Sequence, residues 1–249
     1  MSMDWWLYPL FFLTGSAMSF LNSIAGGGST LSLPLFLWMG LPVDLTMGTN
    51  RFGVFLGNLG SLYKLNQAGK LESRPLFAFL PAIICGSLLG SYLVVGISEK
   101  NFRLLLVFVL LLASFSTMRS LSVSSASEKS AWIRMLVFFG MGFYGGYFQA
   151  GMGYVMIFCL SWLGGRDLLK INASKSLISA VIVSFSVLYF VFLGEVHWGL
   201  ALVFGTGAWF GGALGARTQL RVSQGGVKKF ILLVSILLAI KLLWEYFSF

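Results

Sequence analysis

The chain has 249 residues, of which 57% are hydrophobic and only 10% are charged, and its mean hydropathy is +0.88. Soluble domains usually carry about 25% charged residues, so the composition excludes a soluble enzyme or receptor domain and indicates an all-α integral membrane protein. The formal net charge of +9 comes from basic residues in short loops between apolar segments, which the positive-inside rule explains without a nucleic-acid partner.

Two apolar segments open the chain and are separated by a run of glycines. They cover about 5–22 and 29–40, with glycines at 26–28 between them. As a helix, 29–40 would reach only about 18 Å, well short of a hydrocarbon core of about 30 Å. By length alone the pair 5–40 could be one broken crossing or a broken-helix hairpin with short arms and the glycine run at its tip, and loop charge decides for the hairpin. Three segments long enough to span a membrane follow, at about 46–65, 75–96 and 102–119.

The second half of the chain repeats this pattern at a spacing of 125 residues, without a gap. The glycine-rich segment 25–28 falls on 150–153, and three further pairs of glycines coincide: Gly69 with Gly194, Gly86 with Gly211, and Gly90 with Gly215. The second unit therefore has a hairpin, 132–164, and three predicted spans at about 171–192, 196–217 and 227–247. The chain is interpreted as two repeats, 1–125 and 126–249, that form one domain.

Loop charge predicts that the two repeats have opposite orientations. If each short pair is a hairpin, twelve basic residues fall on one side, in loops 64–74, 119–134, 166–170 and 217–229, and three fall on the other. If each pair were a single crossing, the same residues would divide eight to seven. The positive-inside rule therefore favours hairpins, with the twelve basic residues in the cytoplasm and both termini outside. Three spans and a hairpin per unit make this an inverted-topology repeat.

The two glycine-rich breaks are the candidate binding site. Each precedes a short helix whose free N–H groups and positive dipole end favour an anion, and glycine lets a ligand approach the backbone closely. The alternative is that these glycines only allow tight helix packing. The candidate residues at the first break are Asn22, Gly26, Gly27, Gly28, Ser29 and Thr30; those at the second break are Gln149, Gly151, Gly153 and Tyr154.

Two basic residues, Arg51 and Lys175, lie about five residues inside predicted spans, beside Asn50 and Ser174. Charges in a membrane core are costly and usually face a pathway. Neither residue has an obvious acidic partner within the membrane, so an anionic guest is expected, and all four residues join the candidate site. The alternative is that both cations snorkel to the nearest interface.

Other chemistries lack the residues that they need. All eight carboxylates lie in loops or near segment ends, and His197 is in a loop, so coupling through a buried acid is disfavoured. Clusters of metal ligands, nucleophile–base sets and phosphate-binding loops are absent from the sequence. We therefore expect no catalytic residue, no metal site and no cofactor, and the chain is not predicted to be an enzyme.

At this point the sequence resembles the TauE/SafE family of sulfite and organosulfonate exporters. The resemblance rests on Asn22–Thr30 followed by Pro34, on Met47–Asn50, on the second copy of the repeat, and on the glycine-rich spans around Gly86–Gly90 and Gly205–Gly215. It implies a carrier in the cell inner membrane that moves small sulfur-containing anions, such as sulfite, sulfoacetate or related sulfonates, usually outward.

The leading hypothesis is therefore a single transport domain, a secondary transporter that works by alternating access of two inverted repeats. An anion channel, or a carrier for another small carboxylate or inorganic anion, remains an alternative, and a membrane scaffold is a third. The expected partners are the small anionic substrate and the lipid bilayer. A homodimer is possible because the later spans are rich in glycine, although such faces also pack within one chain.

Overall fold

The computed structural model describes residues 7–71, 74–118, 130–164 and 167–220. These parts of the chain are helical and contain nine α-helices, which confirms the all-α prediction for them. The predicted span 227–247 and most of loop 217–229 lie outside the described residues. The helices are α1 Leu7–Ala25, α2 Ser29–Trp38, α3 Val43–Gln67, α4 Leu80–Val94, α5 Glu99–Met118, α6 Ala131–Tyr147, α7 Met152–Trp162, α8 Leu168–Phe192 and α9 Trp198–Gln219.

Four stretches of the described chain are long and apolar enough to cross a membrane, namely Leu7–Ile24, Leu76–Val94, Leu169–Phe192 and Trp198–Gln219. Helix α3 is as long as α8, at 25 residues, or about 37 Å. It is more polar because it carries Asp44, Arg51 and Lys64. A helix of that length with a buried arginine has to bury its polar face against other helices.

The first arm of the first hairpin is longer than expected. Helix α1 has 19 residues and ends only at Ala25, and its apolar part is long enough to span, so the expectation of a short first arm fails there. The helix ends where Gly26 takes a φ of +87°, which side chains other than glycine rarely adopt. Helices α2 and α7 have 10 and 11 residues and are too short to cross alone.

The segment predicted as one span at 75–96 has two parts. Arg74–Phe79 forms a 3-10 turn, and the α-helix begins at Leu80 with Pro81 at its second position. Proline has no N–H to donate and is best tolerated in the first turn of a helix, and the α-helix starts just before it.

The main helix pairs join the two halves of the chain. Helix α1 packs along α9, α4 packs along α6, and α3 lies against both α8 and α9. Glycines make these approaches possible: Gly207 and Gly211 of α9 lie directly against the carbonyls of Phe12 and Ser16 on α1. These glycine faces are therefore used inside the chain, and a homodimer, which stays a prediction, would need another surface.

Two parts of the chain that are predicted to face the periplasmic side, the start of α3 and the loop between α8 and α9, meet at one end of the bundle. The backbone of Gly48, near the start of α3, lies against the carbonyl of Glu195. The His197 backbone N–H donates to the Thr49 hydroxyl at 3.1 Å. The start of α3 and the loop between α8 and α9 are therefore neighbours in the fold.

Candidate functional site

The first break turns the chain between α1 and α2 through three glycines. The Gly26 N–H donates to the Asn22 carbonyl at 3.0 Å, closing the end of α1. The Thr30 hydroxyl and the Thr30 N–H both donate to the Gly27 carbonyl, at 2.5 Å and 3.1 Å. Ser29 is buried at the start of α2. The turn is thus held by its own backbone and by one hydroxyl.

The second break uses a different backbone route. Gln149 has a φ of +63° and Gly151 a φ of +65°, so two residues of this break are left-handed. The Met152 N–H donates to the Gln149 carbonyl at 3.1 Å, where α7 begins. A left-handed non-glycine residue is uncommon and is often found at functional sites. Gln149 is also 2% exposed, so a long polar side chain is enclosed here.

The two breaks touch each other. A Cβ atom added to Gly26 would lie 2.6 Å from the carbonyl carbon of Gly153. A Cβ added to Gly27 would lie 2.6 Å from ring atoms of Tyr154. Glycine is therefore required by this backbone-to-backbone contact, and the structure brings together the two segments that the sequence singles out.

A chain of polar side chains crosses from α2 to the second break. The Ser32 hydroxyl donates to Asn50 Oδ1 at 2.5 Å, and Asn50 Nδ2 donates to Gln149 Oε1 at 3.3 Å. All three residues are buried. The amide Nε2 of Gln149 has no hydrogen-bond partner among the described residues. Such an unpaired buried donor costs about 1–3 kcal/mol unless something accepts from it.

Arg51 is buried with 1% exposure and binds the end of a helix from the other half of the chain. Its Nη2 donates to the Gly146 carbonyl at 2.5 Å and to the Tyr147 carbonyl at 3.4 Å, and its Nε donates to the Ser186 hydroxyl at 2.6 Å. The Phe190 ring lies 4.4 Å from the guanidinium carbon. Arg51 thus caps the negative dipole end of α6.

Lys175 makes the corresponding contact in the opposite direction. It is 2% exposed, and its Nζ donates to the Asn22 carbonyl at 2.7 Å and to the Ser23 carbonyl at 3.3 Å, at the end of α1. Asn22 and Tyr147 are 125 residues apart, so one carbonyl that each cation binds is equivalent in the two repeats. Both side chains are buried, so the alternative that they snorkel to the interface is wrong.

Not all candidate residues share contacts at the breaks. Gly28 lies against the Met18 carbonyl and the Asn22 Cβ on α1, and the Asn22 carbonyl accepts from Lys175. Ser174 instead lines a cavity of about 510 Å³ near the start of α8. The described contacts therefore centre on the breaks, Asn50 and the two cations.

Two serines that are not among the predicted site residues, Ser32 and Ser186, position Asn50 and Arg51. Ser91 was also missed; it lies 2.7 Å from the Ser186 hydroxyl and donates to the Gly146 carbonyl at 3.3 Å. In the sequence each of these residues is only a serine inside an apolar helix, a feature that is too common in membrane proteins to mark a binding site. Their role depends on helices that meet only in the folded chain.

Comparison with known proteins points to membrane transporters. A family model described as sulfite exporter TauE/SafE matches residues 11–242. A probable membrane transporter protein from Haemophilus influenzae is 26% identical over 96% of this chain and 95% of its own length. The probable membrane transporter protein YfcA from Escherichia coli K12 is 24% identical over 96% of this chain and 90% of its own length. No solved structure matches the chain.

Proposed function

Because the chain belongs to the TauE/SafE family of membrane transporters, we propose that it is a secondary transporter that exports small sulfur-containing anions. Sulfite, sulfoacetate and related organosulfonates are the substrate candidates. The family description names sulfite export, and the relatives are named probable membrane transporters. The proposed location is the cell inner membrane, with both termini on the periplasmic side.

The observation that carries this proposal is the contact between the two breaks, with an unpaired amide donor beside it. Gly26 and Gly153 bring two interrupted helices together, and Gln149 Nε2 is buried without a partner within the described part of the chain. Broken helices near the midplane form the substrate sites of many secondary transporters. An anionic oxygen at this meeting point would accept a hydrogen bond from the Gln149 amide.

Arg51 and Lys175 supply the positive charge that an anion needs in this proposal. Their hydrogen-bond partners are carbonyls and a hydroxyl, and neither makes an ion pair within the described ranges. A helix end carries only about half a negative charge. The positive charge of each side chain is therefore only partly compensated by the helix end that it binds, which favours a negative ligand between the repeats.

Alternating access by two inverted repeats is the proposed mechanism. Helix α8 begins and ends 125 residues after α3, and the pairing of α1 with α9 mirrors the pairing of α6 with α4. These correspondences support repeats 1–125 and 126–249. In such transporters one repeat rocks against the other around a central site. The hydrogen bonds that Arg51 and Lys175 make across the two repeats would break and re-form in that movement.

Reconstitution into proteoliposomes tests the proposal. Labelled sulfite and sulfoacetate should cross in a saturable way, and unlabelled anion on the far side should stimulate the flux. Replacing both Arg51 and Lys175 by glutamine should reduce transport strongly, whereas Lys64→Gln, which removes a cation that binds Gln67 at the end of α3, should not. Unchanged transport in the double variant would refute the site, and flux without saturation or trans-stimulation would indicate an anion channel.

A further inference from the structure

A cavity of about 510 Å³ lies where the 3-10 turn, the start of α6, the end of α7 and the start of α8 meet. This volume lies in the range of about 300–1,000 Å³ that is typical of small-molecule sites. Six apolar side chains line it, among them Phe79, Phe138 and Ile171. The cavity is therefore a mostly apolar space of the size of a small organic molecule.

Charged groups lie on one part of its wall. Arg134 comes from the first turn of α6, and Asp167 and Lys170 come from the start of α8. The Asp167 carboxylate accepts from the Leu169 N–H at 2.8 Å and so caps α8. The wall carries one more positive than negative charge, and the carboxylate is already engaged by a helix N-terminus. This arrangement favours an anionic head group.

An unpaired donor in the same wall points to a missing acceptor. The Nε atom of Arg134 is buried and has no hydrogen-bond partner within the described part of the chain. A buried charged donor without a partner is more costly than a neutral one. A sulfonate or carboxylate bound in the cavity would offer an acceptor with matching charge, and its hydrocarbon part would contact the apolar side chains.

The cavity has a position suited to loading the proposed site. Its wall residues come from or border three of the loops predicted to be cytoplasmic, and Ser174 in its wall directly precedes Lys175. At the position equivalent to Ser174 the first repeat is packed: Thr49 is fully buried, whereas Ser174 is half-buried. The two halves are thus unequally open, with the space on the predicted cytoplasmic side.

We propose that this cavity binds an organic anion, a sulfonate or carboxylate with a short hydrocarbon part, on the cytoplasmic side before it reaches the glycine breaks. As a loading site it rests on the proposed transport function. It also narrows the substrate class, because an inorganic anion would leave the apolar wall unused. The proposal therefore predicts that affinity depends on the length of the hydrocarbon part.

Calorimetric titration of the full chain in zwitterionic nanodiscs with methane-, ethane- and propanesulfonate tests this. Affinity should rise about two- to fourfold with each methylene group. Arg134→Gln should weaken binding of every member at least about tenfold, and Phe138→Ala should flatten the dependence on chain length. The control Arg103→Gln removes an arginine that pairs with Glu99 on α5 and should change neither.

Affinity that is independent of chain length, or unchanged in Arg134→Gln, would overturn the cavity assignment. Loss of sulfonate binding in nanodiscs that contain phosphatidylglycerol would assign the space to a lipid head group and would also overturn it. A different result would refute the proposed function and leave the cavity assignment intact: the sulfonates would bind with the expected dependence on chain length, but no anion would cross the membrane of proteoliposomes. Transport that persists without binding in the cavity would leave the function standing and remove the loading site.

Discussion

Gly26 is the residue at which backbone conformation and close contact act together. It has a φ of +87° and no room for a Cβ atom beside Gly153. Gly40 has a similar φ of +79°, with nothing within 4 Å of an added Cβ, so Gly40→Ala isolates the backbone strain, about 1–2 kcal/mol. Gly26→Ala should cost about 1–3 kcal/mol more, seen as a lower midpoint of thermal unfolding. Equal midpoints for the two variants would show that the breaks do not touch.

Arg51 stabilises the contact between the repeats through the end of α6. Arg51→Gln removes charged hydrogen bonds to Gly146 and Ser186 and should lower the free energy of unfolding by about 1.5–3 kcal/mol. Arg51→Lys keeps the charge and should lose less. Arg103→Gln, which breaks a partly exposed ion pair, should change stability by at most about 1 kcal/mol. If Arg51→Gln matched that control in thermal denaturation, the capping role would be contradicted.

At this scale the sequence identifies the unusual residues but not their partners. Arg51, Lys175 and the glycine breaks are visible because charge and glycine runs are rare in apolar helices. The carbonyls of Asn22 and Tyr147 carry no such signal, since every residue has a carbonyl and only the fold exposes these two at helix ends.

Among the helices, the close approach of α1 to α9 depends on glycines of α9. Gly211 lies against the Ser16 carbonyl, so Gly211→Ala should push the helices apart and cost about 1–3 kcal/mol. Gly140 on α6 has nothing within 4 Å of an added Cβ, so Gly140→Ala should be neutral or stabilise by up to about 1 kcal/mol. Thermal unfolding of both variants measures the difference. A harmless Gly211→Ala would mean that the helices are not in backbone contact.

Helix positions are largely predictable from sequence, because apolar runs and glycines mark where helices run and stop. The start of α4 is not, since hydropathy does not separate the 3-10 turn at Arg74–Phe79 from the α-helix that follows. The predicted segment 5–22 stops short of the end of α1 at Ala25, because the polar residues Asn22 and Ser23 interrupt the apolar run while the helix continues to the first glycine. Which helices pair is a property of the whole fold and has no local signal.

For the whole molecule, the distribution of basic residues among the loops predicts that the two repeats have opposite orientations in the membrane. Gly69 and Gly194 are matched positions, both exposed and both with positive φ. In a chain with Cys85 and Cys159 replaced by serine, Gly194→Cys should react with a membrane-impermeant thiol reagent in intact cells. Gly69→Cys should react only after permeabilisation. Labelling of both from the same side would contradict inverted topology.

The central claim, that the meeting point of the two breaks binds the transported anion, is tested most directly at Gln149. Gln149→Gly removes the unpaired amide and relieves the positive φ, which offsets part of the cost of leaving Asn50 Nδ2 without its acceptor, so the protein should still fold. The KM for sulfite in proteoliposomes should rise about tenfold or more. Gln149→Asn keeps an amide and tolerates the left-handed backbone, so its KM for sulfite should lie between those of the wild type and Gln149→Gly. A Gln149→Gly variant that is stable and has the KM of the wild type would contradict the account.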